Sequence, residues 1–172
     1  MAIRAVIDTN IWVSALLNPA GYPARLRKAF EKGLFEVIIS EPILREIADV
    51  LSRARIKNKY EVTETDVQGL LILIEERSEH VLLAGDVSTC RDKDDNLIIE
   101  TAVKGKVNYL VTRDDDIKTD IKVSDFLSHL GIAIGGKIPR THQSKILVTS
   151  PTLLYLAING LFNCSHHFHS VA

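Results

Sequence analysis

The sequence is poor in cysteine. Its 172 residues include two, Cys90 and Cys164, far apart and outside any CxxC pair. That excludes a disulfide scaffold and a cysteine-rich zinc module. Aromatic residues make up 6% of the chain, with a single Trp. Neither sign of charge dominates: 21 Lys and Arg stand against 22 Asp and Glu, a net charge of −1. This balance argues against a strongly basic nucleic-acid binder. Long hydrophobic runs are also missing. The longest near the end, Leu153–Phe162, is ten residues and contains Asn159 and Gly160, whereas a bilayer span needs about 20. Met1-Ala2-Ile3-Arg4 runs straight into a strand-like segment, and Asp8 interrupts any signal-peptide core. No membrane association and a reducing cytoplasm are the resulting expectations. There is no GxxxxGK[ST] loop, which excludes P-loop nucleotide binding. Before residue 135 there is neither an internal repeat nor a low-complexity linker.

What is present suits one globular domain with an appendage. Apolar residues make up 46% and charged residues 25%, enough for a core that folds without staples. The charge is uneven. Residues 136–172 carry Lys137, Arg140 and Lys145 and no acid, leaving 18 basic against 22 acidic residues in 1–135. An acidic body meets a polyanion most readily through bridging metal cations. The tail also holds four of the six histidines, including His166-His167-x-His169, but shows no chemistry that depends on spacing.

Strand-like and helix-like segments alternate. Arg4–Ile7, Val37–Ile39, Val81–Leu83, Tyr109–Thr112 and a short Ile121–Val123 are the expected strands. Helices are expected over Ile11–Leu17, from Pro23 to Gly33, from Ser40 onward, from Thr63 onward, over Asp94–Gly105 and from Ser124 to Leu130. Ser40, Thr63 and Ser124 are the expected caps, and Arg53–Tyr60 reads as a polar break. The strands are uniformly apolar. That pattern predicts a three-layer α/β/α sandwich around a central parallel sheet of four to five strands.

In such a sheet, ligands sit beyond the carboxyl ends of the strands. Asp8 follows the first strand, and Asp114, Asp115 and Asp116 follow the fourth. Glu46 lies in the second turn of the helix after the second strand. Asp92, Asp94 and Asp95 stand at the start of the helix before the fourth. Singly, each has a structural reading: a helix cap at Asp8, a polar turn at Asp114–Asp116, solvated acids elsewhere. Jointly they form a carboxylate cluster, which calls for a divalent cation. Asp95 shares a helical face with Ile98, Ile99 and Ala102 and should point inward, with Asp94 rotated away. Asn10 and Thr112 offer uncharged polar groups beside the acids.

Ile7-Asp8-Thr9-Asn10-Ile11, Ser40-x5-Glu46-Ile47, Asp95-x2-Ile98-x3-Ala102 and Leu110-Val111-Thr112-Arg113-Asp114-x-Asp116 resemble, in order and spacing, the PIN-domain nucleases over residues 3–130. The group they most resemble comprises toxin components of bacterial and archaeal toxin–antitoxin pairs. The resemblance implies a nuclease domain over 1–135, followed by a C-terminal extension over 136–172. It implies acidic metal-binding positions at Asp8, Glu46, Asp95 and Asp114, an additional acid at Asp116, and supporting polar positions at Asn10 and Thr112. With three consecutive aspartates, the Asp114/Asp116 assignment can shift by one to include Asp115. Metal-dependent cleavage of RNA is the implied activity, with a cognate antitoxin as partner and a homodimer on the same ground.

The residues fit that chemistry. No Ser-His-Asp set is formed, because His80 and His129 lie away from the strand ends. Phosphodiester hydrolysis by acids alone needs a cation, and oxygen-only ligands suit Mg²⁺ or Mn²⁺. Asp8, Asp95 and Asp114 are the expected metal ligands, with Glu46 and Asp116 assisting. Arg113 and Lys93 flank the acids and are candidate phosphate contacts. Trp12 is either a base-stacking platform or core, and the 63–79 helix, with Leu71, Ile72 and Leu73, is a candidate interface. Three other readings compete. Aspartyl-phosphate chemistry of the haloacid-dehalogenase or receiver type is disfavoured, because Asp8-Thr9-Asn10 has no second acid. A non-catalytic or masked binding module remains open, as does a nuclease acting on DNA.

Overall fold

A computed structural model of the chain describes residues 2–90 and 93–135. The extension over 136–172 and Asp92 lie outside the described residues. Five short parallel strands form the sheet: β1 (Arg4–Ile7), β2 (Glu36–Ile39), β3 (Glu79–His80), β4 (Tyr109–Val111) and β5 (Ala133–Gly135), in the order β3-β2-β1-β4-β5. Ala5 stands opposite Val37 on one side and Tyr109 on the other. Ala5, Val6 and Ile7 are fully buried, as their unbroken apolar run requires of a central strand.

The connections carry eight helices: α1 (Thr9–Leu17), α2 (Tyr22–Glu31), α3 (Glu41–Ser52), α4 (Ala54–Tyr60), α5 (Glu64–Arg77), α6 (Lys93–Lys104), α7 (Asp115–Thr119) and α8 (Ile121–His129). Chain progression runs from β1 outward through β2 to β3, then crosses back to β4 and β5. With right-handed crossovers, α1–α5 fall on one face and α6–α8 on the other. The layered parallel sandwich expected from the sequence is what forms. Trp12 belongs to its core. It is 1% exposed and meets Phe30 edge-on, with ring centroids 5.7 Å apart, so it offers no face to a base.

Several local expectations are corrected. The strand expected at 121–123 is the first turn of α8. Asp120 takes the cap position there and accepts from the Lys122 and Val123 amides at 2.8 and 3.3 Å, and Ser124 lies within the helix rather than capping it. The fifth strand is instead Ala133–Gly135, which follows Gly131 in its left-handed conformation (φ 73°). The strand expected at 81–83 lies two residues earlier. Its pairing with β2 ends where the Val81 amide donates to Ile39 O at 2.9 Å, and Leu82 emerges 93% exposed at the sheet edge. The polar break at 53–60 is helix α4, which buries no residue and so shows no amphipathic period. Among the expected caps, Thr63 forms a reciprocal capping box with Asp66. The buried Ser40 hydroxyl is instead 2.8 Å from Thr101 Oγ1.

At Gly105, a Cβ would collide with the Ile38 side chain. The same glycine's carbonyl accepts from the Arg4 guanidinium at 3.2 and 3.0 Å. Arg4 also meets Glu79 at 2.8 Å and Glu36 at 3.1 Å. The amino end of the sheet is therefore closed by an ion network in which one guanidinium bridges two carboxylates.

Candidate active site at the switch point of the sheet

The strand order reverses at β1. The connections after β1 and β4 therefore leave toward opposite faces and open a crevice between two adjacent strand ends. Asp8 and Asp114 follow those two strands. The Asp8 amide donates to Val111 O at 2.9 Å, extending the β1–β4 ladder to the rim of the crevice.

Asp8 occupies the cap position of α1, yet its side chain makes no capping hydrogen bond. Its Oδ2 instead accepts from Asn10 Nδ2 at 2.7 Å and, over a short contact, from the Thr112 hydroxyl. Thr112 Oγ1 in turn accepts from the Asp114 amide at 2.9 Å. One buried hydroxyl thus fixes both aspartates, 2% exposed itself. From the other side, the buried Thr9 hydroxyl donates to Glu46 Oε2 at 2.7 Å. Thr9 is a positioning residue that sequence reasoning missed. Its only signal was its place between Asp8 and Asn10.

The electrostatics at Asp8 are unfavourable to its charge. Burial pushes its carboxyl above the ordinary range, and the negative charges of Glu46 and Asp114 add to the rise, while hydrogen bonding from Thr112 and Asn10 acts the other way. The Asp8 carboxyl therefore feels the charge of two other acids singled out from sequence. Asp115 is engaged elsewhere, paired with Lys118 at 2.6 Å, which holds its carboxyl below the usual range. Asp114 Oδ1 accepts from the Asp116 amide at 2.8 Å, and Asp116 is exposed, as is Arg113.

Asp95 is half-buried on the face of α6 that carries the buried Ile98, Ile99 and Ala102, and Asp94 is exposed, as helical phase requires. Helix α6 lies against β1, β2 and β4. Thr101 Oγ1 donates to Leu97 O at 2.7 Å, so the Ser40 hydroxyl must be the donor to Thr101. That bond joins the start of α3, which carries Glu46, to the helix that carries Asp95. Two more residues missed from sequence hold α6 to the loop before it. Asn96 Oδ1 accepts from the Thr89 and Cys90 amides, both at 2.8 Å, and Nδ2 donates to Cys90 O at 3.1 Å. The buried Glu100 carboxylate accepts from the Ala84 amide at 2.7 Å and from the Gly85 amide at 3.0 Å. Both sit on the inner face of α6, where a polar residue reads as an interruption of the apolar stripe rather than as a loop anchor. Lys93 opens α6, and its side chain lies outside the described residues.

The donor set suits a hard cation. Its groups are oxygen atoms, the charge of the central carboxylate is disfavoured by burial and by like charges, and Asn10 Oδ1 is buried with no hydrogen-bond partner among the described residues. That oxygen is correctly oriented, because only the amide nitrogen can donate to Asp8. Among the described residues, however, no three Asp, Glu, His or Cys side chains are gathered closely enough to hold a metal ion. The residues fit in kind and in sign but do not form a closed cage.

Residues 4–116 match the PIN domain. An uncharacterized protein of the archaeon Methanocaldococcus jannaschii is 30% identical over 115 residues, covering 67% of this chain and 73% of that protein. The matched span runs from the first residue of β1 to Asp116, and so contains every acid of the crevice. The chain belongs to the PIN-domain family, whose fold is generally that of nucleases.

Proposed function

We propose that the chain is a metal-dependent endoribonuclease and the toxin of a toxin–antitoxin pair. The observation that carries the nuclease reading is the gathering of three acids at the switch point, Asp8 and Asp114 through the Thr112 hydroxyl and Glu46 through its neighbour Thr9. Asp8, Asp95 and Asp114 would hold Mg²⁺ or Mn²⁺, which when bound neutralises the scissile phosphate and activates water. Asn10 and Thr112 orient Asp8. Glu46, steadied through Oε2 by Thr9, takes the proton of the attacking water on Oε1. A P–O ester bond breaks as the new one forms, and the leaving oxygen is protonated from solvent. Asp116 supports the site, and Arg113 and Lys93 contact the phosphates. Asp114 is preferred to Asp115 as ligand because Asp115 is paired with Lys118.

Among the described residues, no helix is long and apolar enough to cross a membrane. The partner surface we favour, for a second copy or an antitoxin, is a groove of about 430 Å³ between α3 and α5. Leu44, Ala48, Leu71 and Ile72 line it, and Ile72 is 55% exposed. A masked binding module is the second reading, favoured by the missing metal cage.

Cleavage of a mixed-sequence single-stranded RNA, with Mg²⁺ or Mn²⁺ and with EDTA, tests the proposal. Wild-type protein should cut only with metal, and Asp8→Ala and Asp95→Ala should fall to background while keeping their fold. Full metal-dependent cleavage by Asp8→Ala would refute the assignment.

A further inference from the structure

Helix α4 departs from the charge balance of the rest of the domain. Among the described residues it is the only helix with basic side chains and no acid: Arg55, Lys57 and Lys59, with Arg53 at its cap position. It buries nothing fully, and Ile56 alone packs partly against the core. Two of its cations are spent within the fold, Arg53 on Asp49 at 2.8 Å and Lys57 on Glu64 at 2.5 Å. Arg55 and Lys59 are exposed and make no ion pair among the described residues. Lys59 Nζ stands 5.1 Å from the ring centroid of Tyr60, itself 42% exposed. An exposed aromatic ring beside unpaired cations is the composition of a single-strand binding surface, where cations follow phosphates and the ring stacks on a base. Helix α3 carries Glu46 and leads directly into α4. At 1.5 Å per residue, the end of α3 lies about 9 Å beyond Glu46 along the helix axis.

We infer that α4 is the arm that grips the substrate strand outside the acidic crevice, with Arg55 and Lys59 on backbone phosphates and Tyr60 stacked on a base of single-stranded RNA. The inference rests on the nuclease reading for the identity of the strand. It explains how a body of net negative charge holds a polyanion. The acids confront one phosphate through metal, and α4 holds the flanking nucleotides without it.

Binding in EDTA separates the two proposals, because no cleavage is needed for it. The probe is a fluorescein-labelled mixed-sequence RNA of about 20 nucleotides, titrated with the full chain over a range of salt. The double variant Arg55→Ala/Lys59→Ala should raise Kd about ten-fold and flatten the log Kd against log salt slope by about 0.7 per lost phosphate contact. Tyr60→Ala should weaken binding at least about five-fold with the slope unchanged. Alanine favours helix and none of these side chains is buried, and circular dichroism would verify the fold. In metal-dependent turnover the loss should fall on KM. Wild-type affinity and slope in the double variant would overturn the arm and turn attention to an acidic protein surface as the occupant of α4. Failure of wild-type protein to bind RNA would overturn it as well. If RNA is bound through α4 but never cut with metal, the arm stands and the nuclease reading fails.

Discussion

The two ends of one five-stranded sheet treat charge in opposite ways. At the amino end, Arg4 bridges Glu36 and Glu79 and also bonds the Gly105 carbonyl, so both carboxylates face a cation. At the carboxyl end, Asp8 is half-buried beside Glu46 and Asp114, held by uncharged donors and raised in pKa by burial and by those neighbours. The first arrangement stabilises a fold. The second costs stability in the isolated chain, and it is the end at which the connections open a crevice. The first is structural polarity, and the second is the polarity we propose to be functional.

The comparison can be broken at its functional end. Glu46→Gln keeps an acceptor for Thr9 but loses the base we propose, and on that proposal RNA cleavage should fall about 10²- to 10⁴-fold with the fold unchanged. Single-turnover kinetics check this. Thr112→Val removes the donor to Asp8 and the acceptor of the Asp114 amide in one step. Activity should drop about 10- to 100-fold, and the acid limb of the pH–rate profile should move to higher pH, because the Asp8 carboxyl loses an interaction that lowers its pKa.

The structural end should answer differently. Arg4→Ala should cost about 1–2 kcal/mol of stability by denaturant titration and leave cleavage at saturating metal and RNA unchanged. The two ends also respond to acid with opposite sign. Glu79 has a depressed pKa, so its contribution is present above the ordinary Glu value and is lost as pH falls through the folded one. Asp8 has a raised pKa, so the folded state holds its proton more tightly than the unfolded chain does. Its favourable contribution is complete below the ordinary Asp value and is lost as pH rises through the folded one. Asp8→Asn should therefore raise the melting temperature of metal-free protein at neutral pH, and Arg4→Ala should lower it and flatten its fall in acid.

Much of this was legible from the chain. Apolar strands mark the parallel sheet, and an acid directly after a strand must emerge at the carboxyl edge. Helical phase alone separates Asp95 from Asp94. The side chains that organise the site were harder to read. Thr9, Asn96 and Glu100 act through bonds whose partners are distant in sequence or are backbone amides, which leave no residue pattern. Ile121-Lys122-Val123 and Ile132-Ala133-Ile134 are equally short segments with branched apolar ends, and the Asp120 cap decides between them. Helix α4 escaped notice because a helix without a buried face has no hydrophobic period.

We propose that the carboxyl end of the sheet is a cation site. Calorimetric titration of metal-free protein with Mn²⁺ at neutral pH tests it most directly, on wild type, Asp8→Asn and Arg4→Ala. Saturable binding by wild type and Arg4→Ala, abolished in Asp8→Asn, is the predicted result. Binding that survives Asp8→Asn undiminished, or no binding by folded wild-type protein, would contradict it.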